Sequence, residues 1–123
     1  MRQANVRVVP FVVASLLSVV VLFMPASGVP SAPPGTDKVI HFSLFALLAV
    51  TGMIAGFRLP FLVAGLVVWA GLSEFLQAVL PIGRTGGLPD ALADLLGAAV
   101  ALAVWLLVRS WRRSRDRGNV SDG

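Results

Sequence analysis

A chain of 123 residues that is 57% hydrophobic and 13% charged, with a mean hydropathy of +0.87, is too apolar for a soluble domain, where about a quarter of residues are charged. It has no cysteine, which excludes disulfides, thiolate metal sites and cysteine nucleophiles. Its net charge of +4 collects at the borders of hydrophobic runs, where it reads as a membrane-topology signal, so no nucleic-acid partner is expected.

The first apolar run extends from about Val6 to Met24, after Arg2, and is punctuated by Arg7, Pro10 and a few serines. It can cross a hydrocarbon core about 30 Å thick. A basic start, an apolar stretch and Ala26-Ser27-Gly28 also fit a secretory signal peptide. The apolar part of such a peptide covers about 7–15 residues, and this run is longer, so a retained helix is expected. Pro30, Pro33 and Pro34 then mark a connecting loop between Pro25 and Thr36. Thr36 or Asp37 suits the N-cap of the next helix, and a carboxylate there also favours the positive end of the helix dipole.

The second run, Val39 to about Phe57, contains Gly52 and Gly56, a small-xxx-small pair that lets helices approach closely. Arg58-Leu59-Pro60 turns the chain into a third run, Phe61 to Leu80, where Glu74 and Gln77 share a face with Ser73 beside them. Pro81 to Pro89 forms a second polar loop containing Arg84, and a fourth run from Asp90 to near Val108 carries Asp94 and Gly97.

The expected fold is therefore all-α: an integral membrane four-helix bundle over residues 1–110, with helices at about 6–24, 39–57, 61–80 and 90–108. Residues 111–123 are expected to be a basic, disordered cytoplasmic tail. Of the ten basic residues, Arg2, Arg7, Arg58 and the five arginines after residue 108 fall on one side of an up-and-down bundle. The positive-inside rule then puts both termini in the cytoplasm and the two longer loops outside, in a multipass protein of the cytoplasmic membrane with lipids as its neighbours.

Threaded in this way, the polar residues in or bordering the apolar runs reach one level. Asp37 and His41 enter helix 2 from outside, four residues apart and about 6 Å along its axis; Glu74 and Gln77 approach the outer end of helix 3; Asp90 and Asp94 enter helix 4. Lys38 and Arg84 are the cations available to offset these acids. An ionisable group at the centre of a transmembrane helix costs on the order of 2.5–3.5 kcal/mol, so such groups face the bundle and find partners. A structural role would use Asp37 and Asp90 as N-caps and the pairs Glu74–Arg84 and Asp94–His41 as ties between helices. Confinement of the whole set to one leaflet favours a shared functional pocket over packing alone.

The run Asp37-Lys38-x-x-His41-Phe42-x-x-Phe45, then Ser73-Glu74-x-x-Gln77, then Arg84 followed by Asp90, and Asp94-Leu95-Leu96-Gly97, resembles the VanZ-like family of small bacterial membrane proteins. The motifs occur in order across residues 37 to 97. The resemblance implies a multipass envelope protein, and it implies a link to glycopeptide resistance, since the family is named for a member associated with resistance to teicoplanin. The Gly86-Gly87-Leu88-Pro89 segment after Arg84 is extended relative to the family pattern.

Two functions are expected to compete. In the first, an enzyme acts at the outer interface on a lipid-linked or cell-wall substrate: His41 is the general acid or base, Glu74 the second acid-base group, Asp94 or Asp37 orients His41, and Arg84 anchors a phosphate or carboxylate. In the second, the same pocket binds an envelope ligand, such as a lipid-linked precursor or a glycopeptide, without changing it. Arg84, Gln77, Lys38 and Asp90 are the expected ligand-binding residues; His41, Glu74, Asp94 and Asp37 are the expected catalytic ones. No cofactor is expected, and no metal, because the chain has no dense metal-ligand motif, although these carboxylates and His41 are the groups that would hold a divalent ion. A proton or ion pathway is disfavoured, because the midplane and cytoplasmic depths are apolar. Trp69 and Trp105 read as packing or lipid-facing residues and Trp111, between Arg109 and Arg112, as an interfacial anchor.

Overall fold

The computed structural model describes residues 2–28, 31–84 and 87–121, with only the backbone of residues 2–4 and 121. The chain forms four helices, α1 (Arg2–Phe23), α2 (Thr36–Ala55), α3 (Leu59–Val79) and α4 (Leu88–Ser121), with one 3-10 turn at Ala26–Gly28. Among the described residues there is no strand. All four helices are long and apolar enough to cross a membrane.

Helix is the structure such runs must take in hydrocarbon, because it satisfies every backbone group within the segment. The hydroxyls inside the runs follow the same rule. Ser15, Thr51 and Ser73 donate to carbonyls three or four residues back, on Phe11, Leu47 and Ala70, so they need no partner on another helix.

α2 is the central element, packing chiefly on α4 and α1, while α3 rests against α4 and α2 and barely touches α1. The core runs along α2 through Leu44, Phe45, Leu48 and Ala49 and meets Leu22, Leu66, Ala98 and Leu102 from the other helices. Large apolar side chains such as Val13, Leu16, Val68, Phe75, Leu96 and Leu107 stay exposed on the outer faces, an arrangement suited to lipid and costly in water.

The tightest interhelical approach is at Gly97. A Cβ added there would collide with the carbonyl oxygen of Phe42 and lie 2.9 Å from its Cα, so α4 presses directly on the backbone of α2 one residue after His41. Gly52 and Gly56, the expected close-packing pair, divide their roles. Gly52 abuts the side chain of Leu62 in α3, whereas Gly56 stands in open space at φ 88° and ends α2. Phe57 N–H donates to Gly52 O at 3.2 Å and Gly56 N–H to Met53 O at 3.1 Å, which satisfies the last carbonyls of the helix. Arg7 Nε adds a bond to Ile54 O at 3.0 Å, a cation at the negative end of the α2 dipole.

The helix starts differ from expectation. α2 opens on Gly35, at φ 87°, with no side-chain cap. Thr36 is already helical and its hydroxyl donates back to Pro33 O at 2.7 Å, so neither Thr36 nor Asp37 is the N-cap. The left-handed turn at Gly35 starts the helix earlier, leaving Asp37 in the first turn, where its charge still meets the dipole. α4 likewise begins at Leu88, which places Asp90 inside its first turn instead of at a cap. At its other end α4 continues to Ser121, beyond the expected stop near residue 108 and through most of the segment expected to be disordered. Arginine is a good helix former and no proline interrupts this stretch. Trp111 and Arg115, one turn apart, stack at 4.7 Å.

Candidate functional site

At one end of the bundle the last turns of α1 and α3 meet the first turns of α2 and α4. The loops there are bound to one another: Ala26 N–H donates to Ile82 O at 2.9 Å, and Arg84 Nε donates to Met24 O at 2.8 Å. Gln77 Nε2 donates to Leu22 O at 2.7 Å, occupying one of the carbonyls that α1 leaves unpaired at its C-terminus. Gln77→Leu is therefore expected to destabilise the protein by about 1 kcal/mol through the freed carbonyl. Unfolding in lipid nanodiscs, with faster amide exchange confined to the last turn of α1, is the check.

Inside this ring sits His41, with its side chain 3% exposed. Its Nδ1 lies 2.7 Å from Asp94 Oδ1, and the Asp94 side chain is fully buried. The close approach at Gly97, one turn after Asp94, sets this distance by holding α4 against α2. Glu74 comes from α3, its Oε1 3.6 Å from the same His41 nitrogen and its side chain 9% exposed. Its other oxygen, Oε2, accepts the Gly87 N–H at 2.7 Å and so fixes the entrance of α4. Asp90, on the first turn of α4, has Oδ1 3.8 Å from Lys38 Nζ; its side chain is 12% exposed against 52% for Lys38, so the cation stands outside and the acid within.

The eight residues singled out in the sequence thus separate into shells. His41, Glu74, Asp90 and Asp94 are brought together and buried. Gln77 and Arg84 form walls, Gln77 tied to Leu22 in α1 and Arg84 to Met24 just after it. Asp37 and Lys38 are exposed at the rim, and Asp37 makes no hydrogen bond or ion pair with any described residue. Of the two acids that could orient His41, the one in contact is Asp94. The pair Glu74–Arg84 is absent, because Glu74 takes the Gly87 amide and Arg84 the Met24 carbonyl.

A cavity of about 270 Å³ opens onto this cluster, lined by Ala26, Asp37, His41, Gln77, Gly83, Arg84 and Asp90. Glu74 and Asp94 lie behind it. Among the described residues, three buried acceptors have no hydrogen-bond partner, Glu74 Oε1, Gln77 Oε1 and Asp94 Oδ2. A larger cavity of about 670 Å³, between α1, α2 and α3, is lined by Phe11, Leu48, Leu66, Trp69 and other mostly apolar groups, with Arg58 its one charged residue. Its lining carries no carboxylate or imidazole.

When Asp94, as a carboxylate, accepts from Nδ1–H, the neutral imidazole has its lone pair on Nε2, the tautomer an acid-base histidine uses. Arg84 has spent one of its five N–H donors on Met24 O and lines the cavity. The backbone partners of this site, Leu22 O, Met24 O and the Gly87 amide, were invisible in the sequence, since any residue type can supply them. Gly97 left a signal, a glycine one turn beyond Asp94 on the apolar run. No family model, curated protein or solved structure matches the chain.

Proposed function

We propose that this chain is a VanZ-like protein of the bacterial cytoplasmic membrane, with both termini in the cytoplasm and an outward-facing site that acts on or recognises the polar headgroup of a lipid-linked or cell-envelope ligand. The family reading rests on the ordered motifs from Asp37 to Gly97, and the orientation on the distribution of arginines. A link to glycopeptide resistance comes with the family reading. The first helix is retained in this reading: Arg7 and Gln77 bind it to the rest of the bundle at both ends, and Arg84 holds Met24 just after it.

The observation that carries the functional reading is His41, backed by Asp94 at 2.7 Å, on the wall of a polar cavity in an otherwise apolar bundle. Asp94 holds the ring in one tautomer and leaves the Nε2 electron pair as the reactive group, to accept a proton or bind a Lewis acid. Arg84 and Lys38 supply positive charge for a phosphate or carboxylate at the mouth. At about 270 Å³ the cavity is below the usual range of drug-sized sites, about 300–1,000 Å³, and suits the terminal group of a larger molecule better than a whole glycopeptide.

Binding without chemistry is the second reading, favoured by the way Gln77 and Arg84 are fixed as preformed walls by the carbonyls of Leu22 in α1 and Met24 just after it. Mass spectrometry of lipid-linked and glycan species separates the two. For an enzyme, at least one species shifts when the wild-type chain is expressed and reverts with His41→Ala at equal membrane abundance. An unchanged inventory alongside a retained phenotype assigns the site to binding. A reporter fused after Gly123 is expected to be active in the cytoplasm; activity outside overturns the orientation.

A further inference from the structure

We infer that His41, Glu74 and Asp90 form a binding site for a divalent transition cation, with zinc(II) the best match, and that Asp94 is the carboxylate that positions the histidine ligand. The inference rests on the reading of this cluster as a working site and names what occupies it.

One ligand atom from each of the three residues, which come from three different helices, lies within 4.8 Å of the other two, and all three residues are buried. Tetrahedral zinc with bonds of about 2.0–2.2 Å holds its donors about 3.3–3.6 Å apart, so a pair at the 4.8 Å limit closes by about 1.2–1.5 Å when the ion binds. Two independent features point to a cation. Glu74 Oε1 is turned toward His41 in a side chain more than nine-tenths buried, and among the described residues it has no donor. A buried, unpaired carboxylate oxygen is costly, and a metal ion satisfies it. Secondly, His41 has its Nδ1 2.7 Å from Asp94 and 3.6 Å from Glu74, so in the proposed site the ring turns its other nitrogen, Nε2, to the ion; a carboxylate behind the far ring nitrogen is the usual support of a metal-bound imidazole.

Charge balance agrees. Three carboxylates, of Glu74, Asp90 and Asp94, are buried around one imidazole, and the nearest ammonium, Lys38, stands 3.8 Å from Asp90 and half in solvent. A divalent ion offsets two of those charges where solvent cannot. The donor set selects the ion. One nitrogen and two oxygens suit zinc or manganese, calcium takes six to eight oxygens, and copper(I) prefers sulfur, which none of these three residues supplies. Three protein ligands leave a coordination position open, and His41 and Asp90 both line the cavity from which a ligand would reach it.

The test is zinc binding by the full chain in lipid nanodiscs, stripped with a chelator and titrated with Zn²⁺ against a chromophoric competitor. One ion per chain is expected. Glu74→Gln and Asp90→Asn should each weaken binding at least about 10-fold, Asp94→Asn about 10–100-fold by loosening the ring of His41, and Asp37→Asn not at all. As a control for folding, Zn²⁺ should raise the thermal midpoint of the wild type and not that of Asp90→Asn. Failure of the wild type to bind Zn²⁺, or equal binding by Glu74→Gln and Asp90→Asn, overturns the site. Manganese binding tighter than zinc overturns the choice of ion. Zinc bound as expected while envelope species and phenotype stay unchanged sinks the envelope-ligand reading alone, so the two failures are distinguishable.

Discussion

Gly97→Ala is expected to be the most damaging single-methyl substitution in the protein, with a loss of at least about 3 kcal/mol, at or beyond the upper end for overpacked cores. The added Cβ meets the carbonyl oxygen, carbonyl carbon and Cα of Phe42, all backbone, so no rotamer change relieves it. α4 must move away from α2. Because Phe42 follows His41 and Gly97 lies one turn past Asp94, that movement opens the 2.7 Å contact between the two side chains. Stability and site should therefore fail together, as a lower thermal midpoint in nanodiscs and loss of zinc binding. Neighbouring glycines provide the contrast. Gly65→Ala and Gly71→Ala place a methyl in open space and should be silent, and Gly52→Ala meets the buried Leu62 side chain, a clash with side-chain atoms that should cost less than one with backbone. Wild-type stability in Gly97→Ala would remove the close approach from any role in building the site.

The bundle was legible because hydropathy records it directly: four apolar runs of membrane-crossing length, separated by proline- and glycine-rich loops, become four helices. Helix ends were less so. The start of α2 depends on a left-handed Gly35, and a Thr-Asp pair just after it looks like a cap in sequence. The arginine-rich end of α4 reads as a solvated tail by composition, while its backbone has nothing to break the helix. In the site, helical periodicity put Asp37 and His41 on one face, but the face says nothing about depth, and Asp37 lies at the rim four residues nearer the helix start. Asp94 was one of two candidates beside His41 until the approach of α4 to α2 selected it. The grouping of Asp90 with His41 and Glu74 needed three helices in register, which no local pattern encodes.

The Gly52 and Gly56 pair illustrates the limit of motif reading. Small residues four apart are permissive for close packing, and permissiveness is not placement. One of them became a helix stop with φ 88°, and the closest contact moved to a lone glycine on another helix. That helix carries two of the three carboxylates of the cluster, Asp90 and Asp94, so the packing device and the polar site are one piece of sequence.

Removing Asp94 alone should cost about 3 kcal/mol, because Asp94→Ala leaves the buried Nδ1–H of His41 without its acceptor. Glu74 Oε1, 3.6 Å away, is the nearest replacement, but its side chain is anchored through Oε2 to the Gly87 amide, so it compensates little. Replacing both partners with apolar groups behaves differently. In His41→Leu/Asp94→Val no polar group of the pair is left exposed to the interior, and stability should return to within about 1 kcal/mol of wild type, since a buried polar pair contributes little net. Thermal unfolding of the single and double variants gives the coupling. Zinc binding should be weakened at least about 10–100-fold in Asp94→Ala and absent from the double variant, which also lacks the His41 ligand. This separates the two roles sequence and geometry leave to the pair: a bundle held together by His41 and Asp94 would make the double variant at least as unstable as the single one. A double variant that is stable, inserted and inert means that the pair is kept for what the cavity does.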